Sequence, residues 1–234
     1  MELFSEHTRD FQAGVLIPVN KPLDWTSFDV VNKIKYLLKY QRNIPKIKIG
    51  HAGTLDPRAT GLLLICTGKA TKQIESLQDM PKTYLATLRL GATTPSFDSE
   101  TEINQKFPYE HISQEALQNS LKSFTGHIAQ TPPDYSALHV NGTRAYKMAR
   151  KGEKTNLKER QVTIDNIELL KFDKPFVRIS VTCHKGTYIR ALANDIGKVL
   201  DSGAYLEELT RTQIGNYRLE KAYDLEIIEK LLKK

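Results

Sequence analysis

The sequence predicts an α+β fold in a single domain, and three observations lead there. Strand-like runs at 61–67, 82–90, 126–130, 160–171, 175–183 and 205–214 come partly in succession rather than in strict alternation with helices. "VTIDNIELLKF" is joined to "FVRISVTC" by "DKP" alone, a link short enough for a hairpin, so antiparallel pairing is favoured over a doubly wound sheet. No internal repeat and no low-complexity linker divides the 234 residues, so one domain is expected over 1–234.

"GVLIPVNKP", 14–22, reads as a strand ending in a turn. "TSFDVVNKIKYLLKY", 26–40, reads as a helix with Thr26 or Ser27 as its cap and Val30, Ile34, Leu37 and Leu38 on one face. Further helical runs fall at 70–78, 113–123, 144–151, 188–201 and 224–232. The stretch 131–160 is basic and is expected to be mobile.

Charge and composition narrow the partners. Of a net charge of +7, residues 33–48 contribute six Lys/Arg with no Asp/Glu, and residues 141–160 contribute seven against two. Two basic patches interleaved with Tyr36, Tyr40 and Tyr146 suit a polyanion, because phosphate contacts release counterions and a ring can stack on a base. No apolar run approaches the roughly 18–20 residues of a membrane span. The start, "MELFSEHTRDF", has neither the basic nor the apolar region of a secretory leader, so no membrane and a cytoplasmic location are expected. Cys66 and Cys183 lie in apolar stretches without CxxC spacing and read as reduced core thiols.

Several chemistries lack their motifs. There is no GxxxxGK[ST] and no strand-leading GxGxxG, and "TGKATK" holds only a Gly-Lys pair. The six histidines form no i,i+4 pair, no HExxH and no His/Cys cluster, so no metal is expected. What remains is one carboxylate, Asp56, in the loop "GHAGTLDPRATG" ahead of the apolar "LLLICTGKATK", together with tyrosines, arginines and basic surface. Pro57 fixes a backbone torsion next to that carboxylate, while Gly50, Gly53 and Gly61 are expected to bring backbone close to a substrate. An Asp-Pro pair in isolation is more often a plain turn.

Five blocks in this order carry a resemblance: "PVNKPLDWTS", "KIKIGHAGTLDPRATGLLLICTGKATK", "KTYLATLRLGATTPSFDSE", "QTPPDYSALHVNGTRAYKMARKGE" and "VTCHKGTYIRALANDIG". Together they resemble the TruB family of bacterial tRNA pseudouridine synthases over nearly the whole chain. The resemblance implies the pseudouridine synthase fold, a mixed, largely antiparallel sheet flanked by helices with an inserted basic RNA-binding loop. It also implies isomerisation of the uridine at position 55 in the T loop of tRNA, without cofactor or metal, by a base-flipping reaction on a catalytic aspartate. A nucleophilic carboxylate and a carboxylate that abstracts a ribose proton both satisfy that chemistry.

Carried over by motif, Asp56 is the catalytic aspartate and Arg190 the arginine that pairs with it. Tyr84 is the tyrosine that stacks on the flipped uracil, and His51 the histidine that enters the space the base leaves. Tyr188 matches the pocket tyrosine and Leu209 an apolar wall against the base. Asp98 matches an acidic residue fourteen positions after Tyr84, although "TTPSFDSE" lacks the fuller acidic pattern. Lys21 and Pro22 match a corner beside the pocket, read as structural, with Asn20 in place of an aspartate. His139 stands where lysine is usual and His184 where serine is common.

The chain stops after "YDLEIIEKLLKK", whereas many relatives continue into a small C-terminal RNA-binding domain, so no such domain is expected here. The grip on the T stem-loop then falls to Arg144, Lys147, Arg150 and Lys151, expected to close over the stem backbone. A monomer is expected from the lack of a coiled-coil pattern. Two other readings stay open: a tRNA-binding folding chaperone without turnover, and a synthase acting on another T-loop-like RNA.

Overall fold

The computed structural model describes residues 10–140 and 142–233; the first nine residues of the amino-terminal stretch read for a leader lie outside them, and His7 with them. The chain clusters into two compact units, Met1–Tyr84 with Thr210–Lys234, and Leu85–Leu209. The chain passes between them inside the strands Lys82–Leu90 and Ala204–Ile214.

The first unit is organised around the strand Ala59–Thr67. It runs antiparallel to Leu16–Lys21, with Leu16 opposite Cys66 and Lys21 opposite Gly61, and antiparallel to Ile49–Ala52. Val19 and Asn20 pair in parallel with Tyr223 and Asp224 on the other side of Leu16–Lys21. Because side chains alternate across a strand, Ala59–Thr67 sends Leu63 and Ile65 to one face and Leu62, Leu64 and Cys66 to the other. The first set packs with Ile17, Val19, and the Val30, Ile34, Leu37 and Leu38 face of the helix Ser27–Gln41, joined by Ile228 and Leu232 of the helix Leu225–Leu232. The second packs with Ala52, Ala70, Leu77 and Ile214. Burial on both faces explains why this strand reads as a continuous apolar run and not as an alternating one. Cys66 is a free thiol inside that core, and burial pushes its pKa up to about 11.

Thr26 caps the helix Ser27–Gln41 in a reciprocal box: its hydroxyl accepts from Asp29 N–H at 3.0 Å, and Asp29 Oδ2 accepts from Thr26 N–H at 2.9 Å. The helical run expected at 70–78 is split into a 3-10 segment, Gly68–Gln73, and a short α-helix, Ile74–Asp79. Thr71 donates its hydroxyl to the Gly68 carbonyl three residues back, a local bond that suits the tighter turn.

In the second unit the strand order is 204–209, 85–90, Phe176–Cys183, Arg160–Asp173, Gly126–Gln130. The expected hairpin at "DKP" is present, with Asp173 opposite Phe176. Arg160–Asp173 also pairs antiparallel with Gly126–Gln130. The helices Gln114–Ser123 and Ile189–Val199 complete this unit, the first capped by the Ser113 hydroxyl, which accepts from Ala116 N–H. Within 131–160 lie a two-residue hairpin, His139–Val140 with Thr143–Arg144, and the short helix Ala145–Ala149. No described helix is long and apolar enough to cross a membrane.

Candidate active site

In the first unit the loop 53–58, between the strands Ile49–Ala52 and Ala59–Thr67, carries Asp56. It is fastened on both sides of that residue. Leu55 is buried, its N–H donates to Ser27 Oγ at 2.9 Å, and Ser27 Oγ donates back to the Leu55 carbonyl at 3.1 Å. The Pro57 carbonyl accepts from Asp24 N–H at 2.9 Å and lies 3.4 Å from Lys21 Nζ. Arg58 Nη1 is 2.8 Å from Asp24 Oδ1, and Ala59 N–H donates to the Asp56 carbonyl at 3.1 Å to close the turn. Asp56 itself is half-buried. Ser27, one of two candidate caps in the sequence reading, therefore clamps the loop while Thr26 caps the helix.

The feature that sequence reasoning missed is Arg211, 1% exposed in the strand Ala204–Ile214. Its Nε donates to the Leu62 carbonyl at 2.8 Å and its Nη2 to the Gly53 carbonyl at 2.9 Å, so one guanidinium ties the start of the Asp56 loop to the strand that follows it. Gly61 makes room for the Arg211 backbone, and Gly53 supplies a backbone conformation that L side chains rarely adopt. At Gly61, with φ of 102°, a Cβ would sit 2.4 Å from the Arg211 carbonyl oxygen; at Gly53, with φ of 90°, it would sit 3.4 Å from Nη1 of the same residue. Both glycines thus lie against Arg211. Gly50 sits in a regular strand pair with Cys66 and gives space to Ile74. The signal for Arg211 in the sequence was a lone cation in the strand-like "LTRTQI".

Two further titratable groups of this unit respond to these charges. Lys21 is fully buried and donates from Nζ to the Trp25 carbonyl at 2.6 Å and the Pro22 carbonyl at 2.8 Å, which fits the corner role expected of it. Burial lowers its pKa to about 8, against the opposing pull of the Asp56 carboxylate and then Asp24, with Arg211 lowering it further. His51 is held below the ordinary imidazole range by burial first and by the Arg211 guanidinium second, which keeps the ring neutral near pH 7. Tyr84 is buried on the same strand face as Lys82, whose Nζ bonds the Gln78 and Met80 carbonyls. Asn20, where the family pattern has aspartate, donates its amide to Asp224 Oδ1 at 2.9 Å; an aspartate there would face a second carboxylate.

In the second unit Arg190 is 4% exposed at the start of the helix Ile189–Val199. It donates from Nη1 to the Ser96 carbonyl and from Nη2 to the Tyr135 carbonyl, each at 3.1 Å, and its Nε lies 3.4 Å from Asp98 Oδ2. Asp98, also 4% exposed, accepts through Oδ1 from Ser96 Oγ at 2.6 Å and Glu100 N–H at 2.9 Å. The acidic residue left without a clear role by the sequence is thus a buried partner of the arginine. Tyr188 is set by Gln130, which the sequence reading did not single out. The Gln130 amide accepts from Tyr188 N–H at 2.8 Å and donates to the Tyr188 carbonyl at 3.1 Å, and the Arg160 guanidinium lies 4.9 Å from the Tyr188 ring centre. Leu209 is half-buried.

The four basic residues around the helix Ala145–Ala149 are all exposed but differ in freedom. Arg144 donates to the Ala137 carbonyl, and Arg150 pairs with Glu100 at 2.8 Å over the Tyr146 ring. Lys147 and Lys151 form no ion pair among the described residues. The units divide the predicted set: Lys21, His51, Asp56 and Tyr84 fall in the first, and Asp98, Arg144, Lys147, Arg150, Lys151, Tyr188, Arg190 and Leu209 in the second.

The first unit thus holds a carboxylate in a fastened loop and a histidine kept neutral by burial, and the second a buried arginine–carboxylate pair. The family model for TruB family pseudouridylate synthase (N terminal domain) matches residues 38–189. The chain is 54% identical to tRNA pseudouridine synthase B of Parabacteroides distasonis over 95% of each chain. It is likewise 54% identical to tRNA pseudouridine synthase B of Phocaeicola vulgatus, over 93% of this chain and 92% of that one. A solved Cbf5-Nop10-Gar1 complex contains a chain similar in fold, with a TM-score of 0.72 and 28% identity over 94% of this chain; the present chain spans about half of that one, 54%. The chain belongs to the TruB family of pseudouridylate synthases. It is a pseudouridine synthase.

Proposed function

We propose that this synthase converts the uridine at position 55 in the T loop of tRNA to pseudouridine, with Asp56 as the catalytic carboxylate. The single observation that carries the assignment of Asp56 is the double anchorage of its loop: Leu55 held through both backbone polar groups by Ser27, and Pro57 through its carbonyl by Asp24 and Lys21. A catalytic group gains most when its position is set before substrate arrives. The tRNA substrate is supported by the names of the relatives at 54% identity.

The reaction is an isomerisation and balances without a cofactor. The bond from ribose C1′ to uracil N1 breaks, the freed base turns, and C1′ joins C5; C5 loses its proton and N1 gains one. Attack by Asp56 on the sugar or base, and removal of a ribose proton by Asp56, both start from the ionised carboxylate. A loop uridine is reached by extrusion from its stack. Tyr84, Tyr188 and Leu209 are assigned to the extruded base, His51 to the space it leaves, and Arg190 to the reacting carboxylate. Lys147 and Lys151, exposed and without an ion pair among the described residues, are assigned to the phosphates of the stem, with Arg144 and Arg150 alongside.

The test is site-resolved pseudouridine mapping of an unmodified tRNA transcript after incubation with wild-type protein and with Asp56→Asn, without added metal or nucleotide. Conversion at position 55 by the wild type alone supports the assignment. Conversion elsewhere, or conversion by both proteins, overturns it.

A further inference from the structure

The helix Ser27–Gln41 buries one face and leaves the other unused by the candidate site. On that outer face Phe28 is 65% exposed, and Tyr36 and Tyr40 are each 55% exposed. Positions 28, 36 and 40 are related by whole multiples of four, so the rings form one stripe along about 18 Å of helix. The Tyr36 and Tyr40 ring centres are 4.7 Å apart, and Lys39 Nζ lies 4.7 Å from the Tyr40 ring centre. Lys35 and Lys39 flank the rings, are exposed, and form no ion pair among the described residues. From Val30 to Leu55 the chain contains no Asp or Glu. Large exposed rings in a row are unusual on a solvated helix; Asp29 is taken up by the helix cap and Lys33 pairs with Glu229 at 2.8 Å, which leaves Lys35 and Lys39 as the charges beside Tyr36 and Tyr40 without an ion pair among the described residues.

We propose that this face is a second RNA-binding surface, a stacking platform that takes an unpaired RNA strand. The rings supply faces on which bases stack without regard to sequence, and Lys35 and Lys39 supply charge for the phosphates between them. The stripe starts at the end of the helix where Ser27 holds Leu55, so it leads away from the Asp56 loop within one unit. Exposed rings also serve protein interfaces; a nucleobase strand is favoured here because rings and lysines alternate along one helix, and each nucleotide brings both a stacking face and a phosphate. The helix belongs to the first unit and the basic residues around Ala145–Ala149 to the second, so the two are tested by different variants.

The experiment measures binding of a fluorescein-labelled oligouridylate by anisotropy over a range of salt, in parallel with pseudouridine formation in a T stem-loop RNA. The proteins are wild type, Tyr36→Ala with Tyr40→Ala, and Lys35→Ala with Lys39→Ala. Removing the rings is expected to weaken oligouridylate binding by roughly tenfold to a hundredfold with the salt dependence unchanged, since stacking carries that loss. Removing the lysines is expected to flatten the logarithmic salt slope by about 0.7 for each phosphate no longer neutralised. Both variants should melt near the wild-type temperature, because the altered side chains are exposed, and both should keep wild-type turnover on the T stem-loop.

Unchanged oligouridylate affinity in the ring variant overturns the proposal, as does a wild-type protein that does not bind the oligomer. So does displacement of the oligomer by the T stem-loop in strict competition, which would put it in the active site. A wild-type dimer that the ring variant converts to monomer would assign the face to a second copy of the chain instead. Loss of turnover by every protein, with oligomer binding intact, would count against the proposed function and leave this surface standing.

Discussion

Ser27 and Leu55 hold each other through two hydrogen bonds, 2.9 Å and 3.1 Å, that use one hydroxyl and both backbone polar groups of the residue preceding Asp56. Both residues are buried, so neither backbone group has water to replace a lost partner.

Ser27→Ala should therefore cost about 1–3 kcal/mol of stability, the penalty for buried groups left unsatisfied. Since the loop would lose its setting while the exposed basic residues are untouched, single-turnover rates should fall more than tRNA affinity. Urea unfolding and rapid-quench kinetics with tritium release from C5 of uridine would read the two effects separately. Wild-type rates in a folded Ser27→Ala protein would remove the positioning role.

Arg211→Met should strip the Gly53 and Leu62 carbonyls of their donor and remove a charge from beside His51. The His51 pKa should then rise toward the ordinary value near 6.5, because one of its two lowering causes is gone while burial remains. The sign for stability follows. A ring held below its unfolded value binds fewer protons when folded, so its contribution improves with rising pH through that window, and the window narrows in the variant. Proton–nitrogen NMR titration of the His51 ring is the check, and an unmoved titration would show that Arg211 acts through its hydrogen bonds alone.

Lys21 predicts a second pH effect with the same sign. Its folded pKa of about 8 lies below 10.5, so between those values the unfolded chain binds more protons and stability contributed by this group rises with pH. Wild type should gain on Lys21→Met as pH rises from 8 toward 10. Urea titrations of both proteins at the two ends of the range decide it; a constant difference would mean that the Lys21 ammonium is solvated.

Asp98→Asn keeps the shape of the side chain and removes the charge 3.4 Å from Arg190 Nε. Breaking a buried ion pair of this kind typically costs about 3–5 kcal/mol. The thermal midpoint should drop by several degrees and turnover should fall with it, whereas Asp165→Asn, at the half-exposed pair with His184, should change little. Equal effects of the two substitutions would contradict the structural role assigned to Asp98.

These predictions show where the sequence was readable. The alternation in "KTYLATLRL" and the apolar run "LLLIC" are local patterns, and both strands appear within two residues of their expected bounds. The Asp56 loop was legible because its glycines and proline are adjacent in the chain. Arg211 was not, since its partners are backbone carbonyls 149 and 158 residues away and a carbonyl leaves no mark on sequence. The same applies to Gln130, which reads the backbone of Tyr188 from 58 residues away. Asp98 was visible but not interpretable, because its meaning comes from Arg190. The strands Ala92–Thr93 and Gln105–Lys106 have two residues each, too short for any period to register.

The unit that carries Asp56 is assembled from both ends of the chain, with Tyr223 and Asp224 zipped beside Val19 and Asn20, and with Ile228 and Leu232 completing the core under Leu63 and Ile65. The other unit is one uninterrupted stretch, Leu85–Leu209. During synthesis the stretch that comes second can therefore finish folding before the one that comes first, a reversal of the usual order in which domains emerge and fold. Until residue 232 has left the ribosome the apolar face of Ala59–Thr67 lacks part of its cover, and Arg211 arrives only shortly before. A nascent chain short of these residues would hold Asp56 in a loop without that support.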